Sequence, residues 1–168
     1  AQANKEAAIA MGSNATAAET NSVAVGQTAT AANNNAIAIG TKTKSAGDNA
    51  IGIGAYAEST AHRATAIGVL SQANGEGSFA GGASAQATGA NSVAIGGATD
   101  GTGGTPSDKA GTAAKATGAQ AIALGTQSKA SGENSIAQGN AANASAVNAT
   151  AIGTNSNASG ENSIAQGN

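Results

Sequence analysis

The chain has 168 residues, 10% of them charged, and a formal net charge of −2. It holds one Phe, one Tyr, no Trp and no Cys, which excludes an aromatic-rich core, disulfides and thiolate metal sites. The low charge offers no basic surface for nucleic acid or anionic membrane, and no apolar run is long enough to span a bilayer, so we expect no nucleic-acid partner and no membrane insertion by this segment.

A repeat of about 14 residues runs along the chain and is marked by glycines in fixed phase. Every step between successive phase glycines is 14 residues except one of 15, between Gly96 and Gly111. The phase glycines are Gly12, Gly26, Gly40, Gly54, Gly68, Gly82, Gly96, Gly111, Gly125, Gly139, Gly153 and Gly167. A composition this poor in aromatic residues also fits disorder, but a disordered chain has no reason to keep such a phase. The pattern therefore predicts a stacked solenoid.

Each repeat contains two short segments that alternate like β-strands, as residues 22–25 and 28–31 do on either side of Gly26. The first segment has two columns of mostly Val and Ile around a residue that is always Ala or Gly. In regular repeats the second segment has Ala, Ser or Thr at the third and fifth positions after the phase glycine, with mostly polar residues between them. Regular glycines disfavour an alanine-rich helix. Each repeat is thus predicted to form one strand–turn–strand–turn coil.

The return turn is marked by Gly at the seventh position after the phase glycine and Asn at the ninth, as in Gly47 and Asn49. Both residue types tolerate left-handed backbone conformations, so we expect both positions to adopt them.

Packing and assembly are less directly encoded. We expect the Val and Ile columns to fill the interior of each coil and the alanine between them to contact other chains. A lone buried amide is costly, so Gln138 and Gln166, which replace apolar residues, are predicted to pair with a second copy of the chain. So slim a solenoid buries little apolar area and is expected to need self-association.

A volume exchange is predicted within the Val and Ile columns. Phe79 is the only aromatic residue in its column, and Gly81, two residues on, is the only glycine in the other. A large side chain beside a missing one keeps the packing density constant.

The best copy of the repeat is Asn91-Ser92-Val93-Ala94-Ile95-Gly96, with residues 21–26 (NSVAVG), 134–139 and 162–167 (both NSIAQG) as close variants. These motifs resemble the head repeats of trimeric autotransporter adhesins, the YadA-like head. The resemblance implies an all-β fold: a left-handed parallel β-roll, or β-solenoid, of 14-residue coils assembled as a homotrimer. It covers nearly the whole chain, read as one domain (1–168) of about eleven coils.

The same resemblance implies a location and partners. Such heads stand on the bacterial cell surface, at the tip of a stalk held by an outer-membrane anchor that this sequence does not include. Their partners are host cell-surface receptors or extracellular-matrix proteins of the collagen and fibronectin type.

An insertion after Gly96, residues 97–111, contains the only proline of the chain and no branched apolar residue. Solenoids accept additions between coils and often use them for binding, so we predict a surface loop. Its candidate binding residues are Asp100, Thr105, Pro106, Ser107, Asp108 and Lys109. The alternative is a tolerated excursion without a partner.

Two windows of the chain are nearly identical. Residues 126–140 and 154–168 differ only at Gln127 versus Asn155 and Lys129 versus Asn157, both at outward positions of the second strand. The scaffold is repeated while its solvated face varies.

Little in the sequence points to chemistry. His62 is the only histidine and is expected to stack between Asp48 and Glu76, either as a pH-responsive ladder or as a solvated turn with compensated charge. The Gly-Asp stretch at residues 100–104 lacks the repetition of calcium-binding solenoids. We therefore predict no catalytic residue, no metal and no cofactor.

The functional hypothesis is a non-enzymatic adhesive head that binds through three equivalent faces and also supports autoagglutination. The alternative is a passive spacer that displays another binding module. A uniform Thr ladder, as an ice-binding solenoid needs, is absent from the outward positions.

Overall fold

The computed structural model describes residues 1–98 and 112–167. Within these residues the fold is all-β: short strands form two parallel 11-stranded sheets, and no helix that could cross a membrane is present. The narrow sheet consists of two-residue strands: β1 (Gln2–Ala3), β3 (Thr16–Ala17), β5 (Thr30–Ala31), β7 (Lys44–Ser45), β9 (Glu58–Ser59), β11 (Gln72–Ala73), β13 (Gln86–Ala87), β15 (Lys115–Ala116), β17 (Lys129–Ala130), β19 (Asn143–Ala144) and β21 (Asn157–Ala158). The wide sheet consists of three-residue strands: β2 (Ile9–Met11), β4 (Val23–Val25), β6 (Ile37–Ile39), β8 (Ile51–Ile53), β10 (Thr65–Ile67), β12 (Phe79–Gly81), β14 (Val93–Ile95), β16 (Ile122–Leu124), β18 (Ile136–Gln138), β20 (Thr150–Ile152) and β22 (Ile164–Gln166).

Neighbouring strands are in register with the repeat. In the wide sheet Ala24 pairs with Ala38, and in the narrow sheet Thr16 pairs with Thr30, so residues 14 apart stack on one another. The predicted parallel solenoid of about eleven coils is confirmed. At about 4.8 Å per strand the described coils make a rod on the order of 50 Å long.

Each regular coil turns at two left-handed residues, seven positions apart. They occupy the second and ninth positions after the phase glycine, as in Thr28 (φ 57°) and Asn35 (φ 55°). Asn is common at the ninth position because its short polar side chain tolerates this conformation, as predicted.

The prediction for the seventh position was wrong. The glycine there does not take a positive φ; at Gly75 a Cβ atom would instead overlap the carbonyl of Gly89 on the next coil. At Gly75 the missing side chain allows two backbones to approach closely, and φ is not unusual. Other coils hold Glu19, Asn33, Ala61 and Ala146 at the seventh position, so glycine is not required in every coil.

The interior of the roll consists of four columns of small residues. In the coil after Gly26, Ala29, Ala31, Ala36 and Ala38 all have no exposed surface. This corrects the expectation that Val and Ile fill the interior while the alanines contact other chains. The two sheets lie so close together that alanine and serine fill nearly all of the space between them. The small residue of each wide-sheet strand therefore points inward and its neighbours point outward.

One exchange of volume shows how thin this interior is. Gly52 stands where other wide-sheet strands have alanine, and Thr43 stands where other narrow-sheet coils have Ala or Ser. A Cβ atom on Gly52 would lie 2.9 Å from Thr43 Cγ2 and 2.7 Å from Ser45 Oγ. One extra methyl group on one sheet thus requires the loss of a methyl group on the other.

Most buried serines bond within their own turn, whereas Ser45 Oγ donates to the Ile37 carbonyl of the wide sheet at 2.6 Å. Ser135 Oγ donates to the Gly132 carbonyl at 2.6 Å, and Ser22, Ser71, Ser128, Ser156 and Ser163 make the same bond to the residue three positions earlier. In these coils the hydroxyl is satisfied within its own turn. Ser78 Oγ and Ser92 Oγ, by contrast, are buried without a hydrogen-bond partner.

The register step is longer at the insertion. Gln86 pairs with Lys115, a step of 29 residues instead of 14, and Gly96 lies against Gly125. The Ala114 N–H donates to the Gly96 carbonyl at 2.9 Å, as the Ala29 N–H does to the Gly26 carbonyl in a regular coil. Residues 99–111, with Gly111 and all six candidate binding residues of the insertion, lie outside the described part of the chain, so the surface loop stays a prediction.

Candidate functional site: two outward sheet faces

The outward side of the wide sheet is an apolar face. Ile39, Ile53, Ile67 and Ile95 lie on it with 38–45% of their surface exposed. It is formed by two columns: Ile9, Val23, Ile37, Ile51, Thr65, Phe79, Val93, Ile122, Ile136, Thr150 and Ile164, and Met11, Val25, Ile39, Ile53, Ile67, Gly81, Ile95, Leu124, Gln138, Ile152 and Gln166. Monomeric soluble proteins rarely expose a continuous apolar area of this kind, so such a face indicates an interaction surface.

Two predictions made from the sequence concern this face. A Cβ atom on Gly81 would lie 2.9 Å from Phe79 Cε1, so the ring occupies the space that the missing side chain leaves. The predicted volume exchange is therefore real, but it lies on the outward face. Gln138 and Gln166 are exposed in the single chain, so their amides lose water only if another chain covers the face.

The outward side of the narrow sheet is a polar face. Its central column is Gln2, Thr16, Thr30, Lys44, Glu58, Gln72, Gln86, Lys115, Lys129, Asn143 and Asn157. The side chains change from coil to coil, and aromatic content is confined to Tyr56, over which Lys42 Nζ lies 5.2 Å from the ring centroid. The two outward faces of the roll therefore differ in chemistry, one nearly uniform and apolar, the other varied and polar.

A shallow depression of about 370 Å³ interrupts the polar face. Gln127, Lys129, Ala141 and Asn143 line it, and the Asn143 Nδ2 donates to Asn157 Oδ1 at 2.8 Å. Sequence comparison of the two near-identical windows had singled out Gln127 and Lys129. It could not find Ala141 or Asn143, because these belong to the next coil and reach the depression only through stacking.

The corner of the roll around His62 carries one ion pair and one contact between the imidazole and a carboxylate. His62 Nδ1 lies 3.5 Å from Asp48 Oδ2, while Glu76 Oε1 lies 2.6 Å from Arg63 Nη2. Glu76 is thus paired with Arg63, and the acid–His–acid ladder does not form as a unit. Because 64% of the His62 side chain is exposed, this corner fits the solvated turn with compensated charge.

In other coils the same corner of the roll is lined by stacked asparagines at the ninth position after the phase glycine. Asn21 Nδ2 donates to Asn35 Oδ1 at 3.3 Å, and Asn35 donates in turn to Asn49 at 3.2 Å. Asn134, Asn148 and Asn162 form the same ladder. These bonds link exposed turns of successive coils.

The six-residue motif has a structural role. Asn91 is a left-handed turn residue (φ 54°), Ser92 and Ala94 are buried, and Val93 and Ile95 lie on the apolar face. Gly96 closes the strand with φ 149°. The motif thus builds the coil and its apolar face. Among the described residues, no group of three or more acidic or histidine side chains is placed to hold a metal ion.

Comparison with protein families identifies the family model that this chain matches. The model of the YadA head domain repeat (2 copies) matches overlapping segments of the chain: residues 3–29, 19–43, 31–57, 45–71, 59–85, 73–99, 110–128, 116–142, 130–156 and 144–168. These segments leave out residues 100–109, within the insertion. A comparison with curated proteins found no match.

Proposed function

Because the chain belongs to the YadA head family, a family of surface-exposed autotransporter adhesins, we propose that it is a non-enzymatic head that attaches a bacterium to host cells or matrix proteins. Collagen- and fibronectin-type proteins are the proposed ligands, and autoagglutination is a proposed second activity. The observation that carries the proposal is the pair of outward faces, one apolar and uniform, the other polar and varied. Such a molecule assembles through one face and offers the other to a partner.

We propose that assembly produces a homotrimer of left-handed rolls, joined through the apolar faces. Ile and Val side chains on ten of the eleven wide-sheet strands would be removed from water, which supplies burial that the thin interior cannot. Gln138 and Gln166 would then meet amides of neighbouring copies rather than water. The outer-membrane anchor belongs to this proposal as well, through parts of the protein beyond this sequence.

Charging the apolar face is expected to abolish assembly. The double variant Ile53→Lys/Ile67→Lys places two cations on adjacent coils of that face, where covering them would leave unpaired buried charges. Sedimentation equilibrium is expected to give three chains for the parent protein and one for the variant.

The matched control is Gln72→Lys/Gln86→Lys, which adds the same charge on adjacent coils of the polar face and should leave assembly unchanged. Circular dichroism reports whether the released chain stays folded. A parent protein that sediments as a single folded chain would contradict the proposed trimer.

Attachment is tested with purified protein on immobilised collagen, on fibronectin and on host cells. We expect saturable binding to at least one of these surfaces, strengthened by the presence of three equivalent faces. Binding to none of them would leave the passive spacer as the better description.

Deleting residues 97–111 tests the insertion. The Ala114 N–H bonds to the Gly96 carbonyl, as the third residue after the phase glycine does in a regular coil. The deletion joins Gly96 directly to Thr112, which makes Ala114 the third residue after Gly96 in the sequence as well. We expect the melting temperature to change by no more than about 4 °C. If the insertion carries the binding contact, attachment falls while folding is preserved; unchanged attachment places the contact on the described faces.

A further inference from the structure

The chain contains its own comparison for the depression on the polar face. Residues 126–140 and 154–168 differ at two positions only, and Gln127 and Lys129, which occupy these positions in the first window, both line the depression. The second window has Asn155 and Asn157 instead, and its strands β21 and β22 adopt the same fold. The scaffold therefore does not require Gln127 or Lys129.

Two lysines beside the depression repel each other when no ligand is bound. Lys115 and Lys129 are register partners on adjacent strands, and like charges directly opposite each other destabilise a sheet. Within the described residues neither lysine forms an ion pair with a carboxylate. By contrast, Lys44 on the same face is the register partner of Glu58. The Lys115–Lys129 pair is the place on the described polar face where an anion would relieve repulsion.

The other residues that line the depression offer space and hydrogen-bonding groups to a ligand. Ala141 takes the left-handed turn position (φ 56°) between Gln127 and Asn155, and its small side chain opens the notch. Asn143 donates its amide N–H to Asn157, which leaves its carbonyl oxygen available at the depression. Gln127 adds an amide that both donates and accepts, and Lys129 adds three donors.

We propose that this depression binds an anionic saccharide, a sugar that carries sulfate or carboxylate groups, with Lys115 and Lys129 on the anion and Gln127 and Asn143 on hydroxyl groups. The lining contains no aromatic residue and no Arg, the residues that anchor protein partners, and its shallow amide surface matches hydroxyl groups. The inference rests on the proposed function, because it names one ligand class for the adhesive head.

The test uses the purified full chain and a heparin-derived hexasaccharide, with affinity measured by isothermal titration calorimetry. We expect saturable binding that weakens as salt is raised, and a loss of about tenfold or more in the double variant Gln127→Asn/Lys129→Asn. This variant copies the second window, so it is expected to keep the parent melting temperature.

The matched control is Lys44→Asn, which removes one positive charge from the same face away from the depression. It should change the affinity less than about twofold, because distant exposed charges are screened. Equal losses in both variants would show a diffuse charge effect and overturn the site. The site would also be overturned if the hexasaccharide showed no saturable binding, or if a neutral dextran oligosaccharide bound equally well. The same holds if free sulfate alone bound with the affinity of the hexasaccharide.

An oligoglutamate peptide of matched charge serves as the protein-like competitor. Binding as tight as that of the hexasaccharide would overturn the saccharide assignment in favour of acidic peptides. Attachment of the same variants to matrix proteins and cells is measured in parallel. If the parent chain attaches to matrix proteins or cells but does not bind the hexasaccharide, this inference alone is refuted. If the parent chain does not attach to any of these surfaces, the proposed function is refuted.

Discussion

Replacing Ala94 with leucine is expected to destabilise the roll by about 3 kcal/mol or more, an effect large enough to prevent folding of much of the chain. Ala94 has no exposed surface and pairs with Ala80 and Ala123 on the neighbouring coils. Three added carbons cannot be accommodated in an interior where, several coils away, the single extra methyl group of Thr43 already lies opposite a glycine, Gly52. Thermal unfolding followed by circular dichroism measures the change, expected as a fall of at least about 6 °C in the midpoint.

The control for this variant lies one residue away. Val93→Leu adds one carbon on the same strand but on the outward face, and we expect it to cost less than about 1.5 kcal/mol. If both substitutions had similar effects, the assignment of the two faces of the wide sheet would be wrong.

The second large effect is expected at a phase glycine. Gly68 has φ +130°, a conformation that other residues adopt only with strain, and a Cβ atom there would lie 2.6 Å from the Gly82 carbonyl oxygen. Neither backbone can move without breaking the ladder, so Gly68→Ala is expected to cost about 3 kcal/mol or more. Chemical denaturation of the purified protein gives the free energy of unfolding directly.

Thr28→Ala is the matched control for this substitution. Thr28 also has a positive φ (57°), but it lies in the left-handed region that Ala141 already occupies in this chain (φ 56°). We expect a change of no more than about 1 kcal/mol. A comparable loss in both variants would contradict the assignment of the large effect to the φ of Gly68 and its close contact with the Gly82 carbonyl.

The repeat made most of the fold predictable. Because a phase glycine recurs at the same position of every coil, the spacing of these glycines alone predicted which residues stack, such as Ala24 on Ala38. Alternation located the strands, and the asparagine at the ninth position located one left-handed turn. The motif around Ser92 and Val93 pointed to the family, and the matching family model confirms it.

The candidate sites were only partly predictable. Comparing the two near-identical windows identified Gln127 and Lys129 as variable outward residues, but not the depression they line. That depression depends on the small side chain of Ala141 on the next coil. The role of Gly75 could not be predicted either. A glycine that allows two backbones to approach and a glycine that adopts a left-handed turn look the same in the local sequence, and only the structure shows the nearby Gly89 carbonyl.

The sequence by itself determined the period, the strands, the register and the family, because each depends on residues that are neighbours along the chain or repeat every 14 positions. Only the tertiary structure decided which face of the wide sheet points inward. Alternation divides a strand such as Ile37–Ile39 into two faces without saying which of them meets the other sheet. The separation between the sheets decides that, and four columns of alanine, serine and their rare substitutes make it too small for isoleucine. The branched side chains therefore face outward and form the surface on which assembly is proposed.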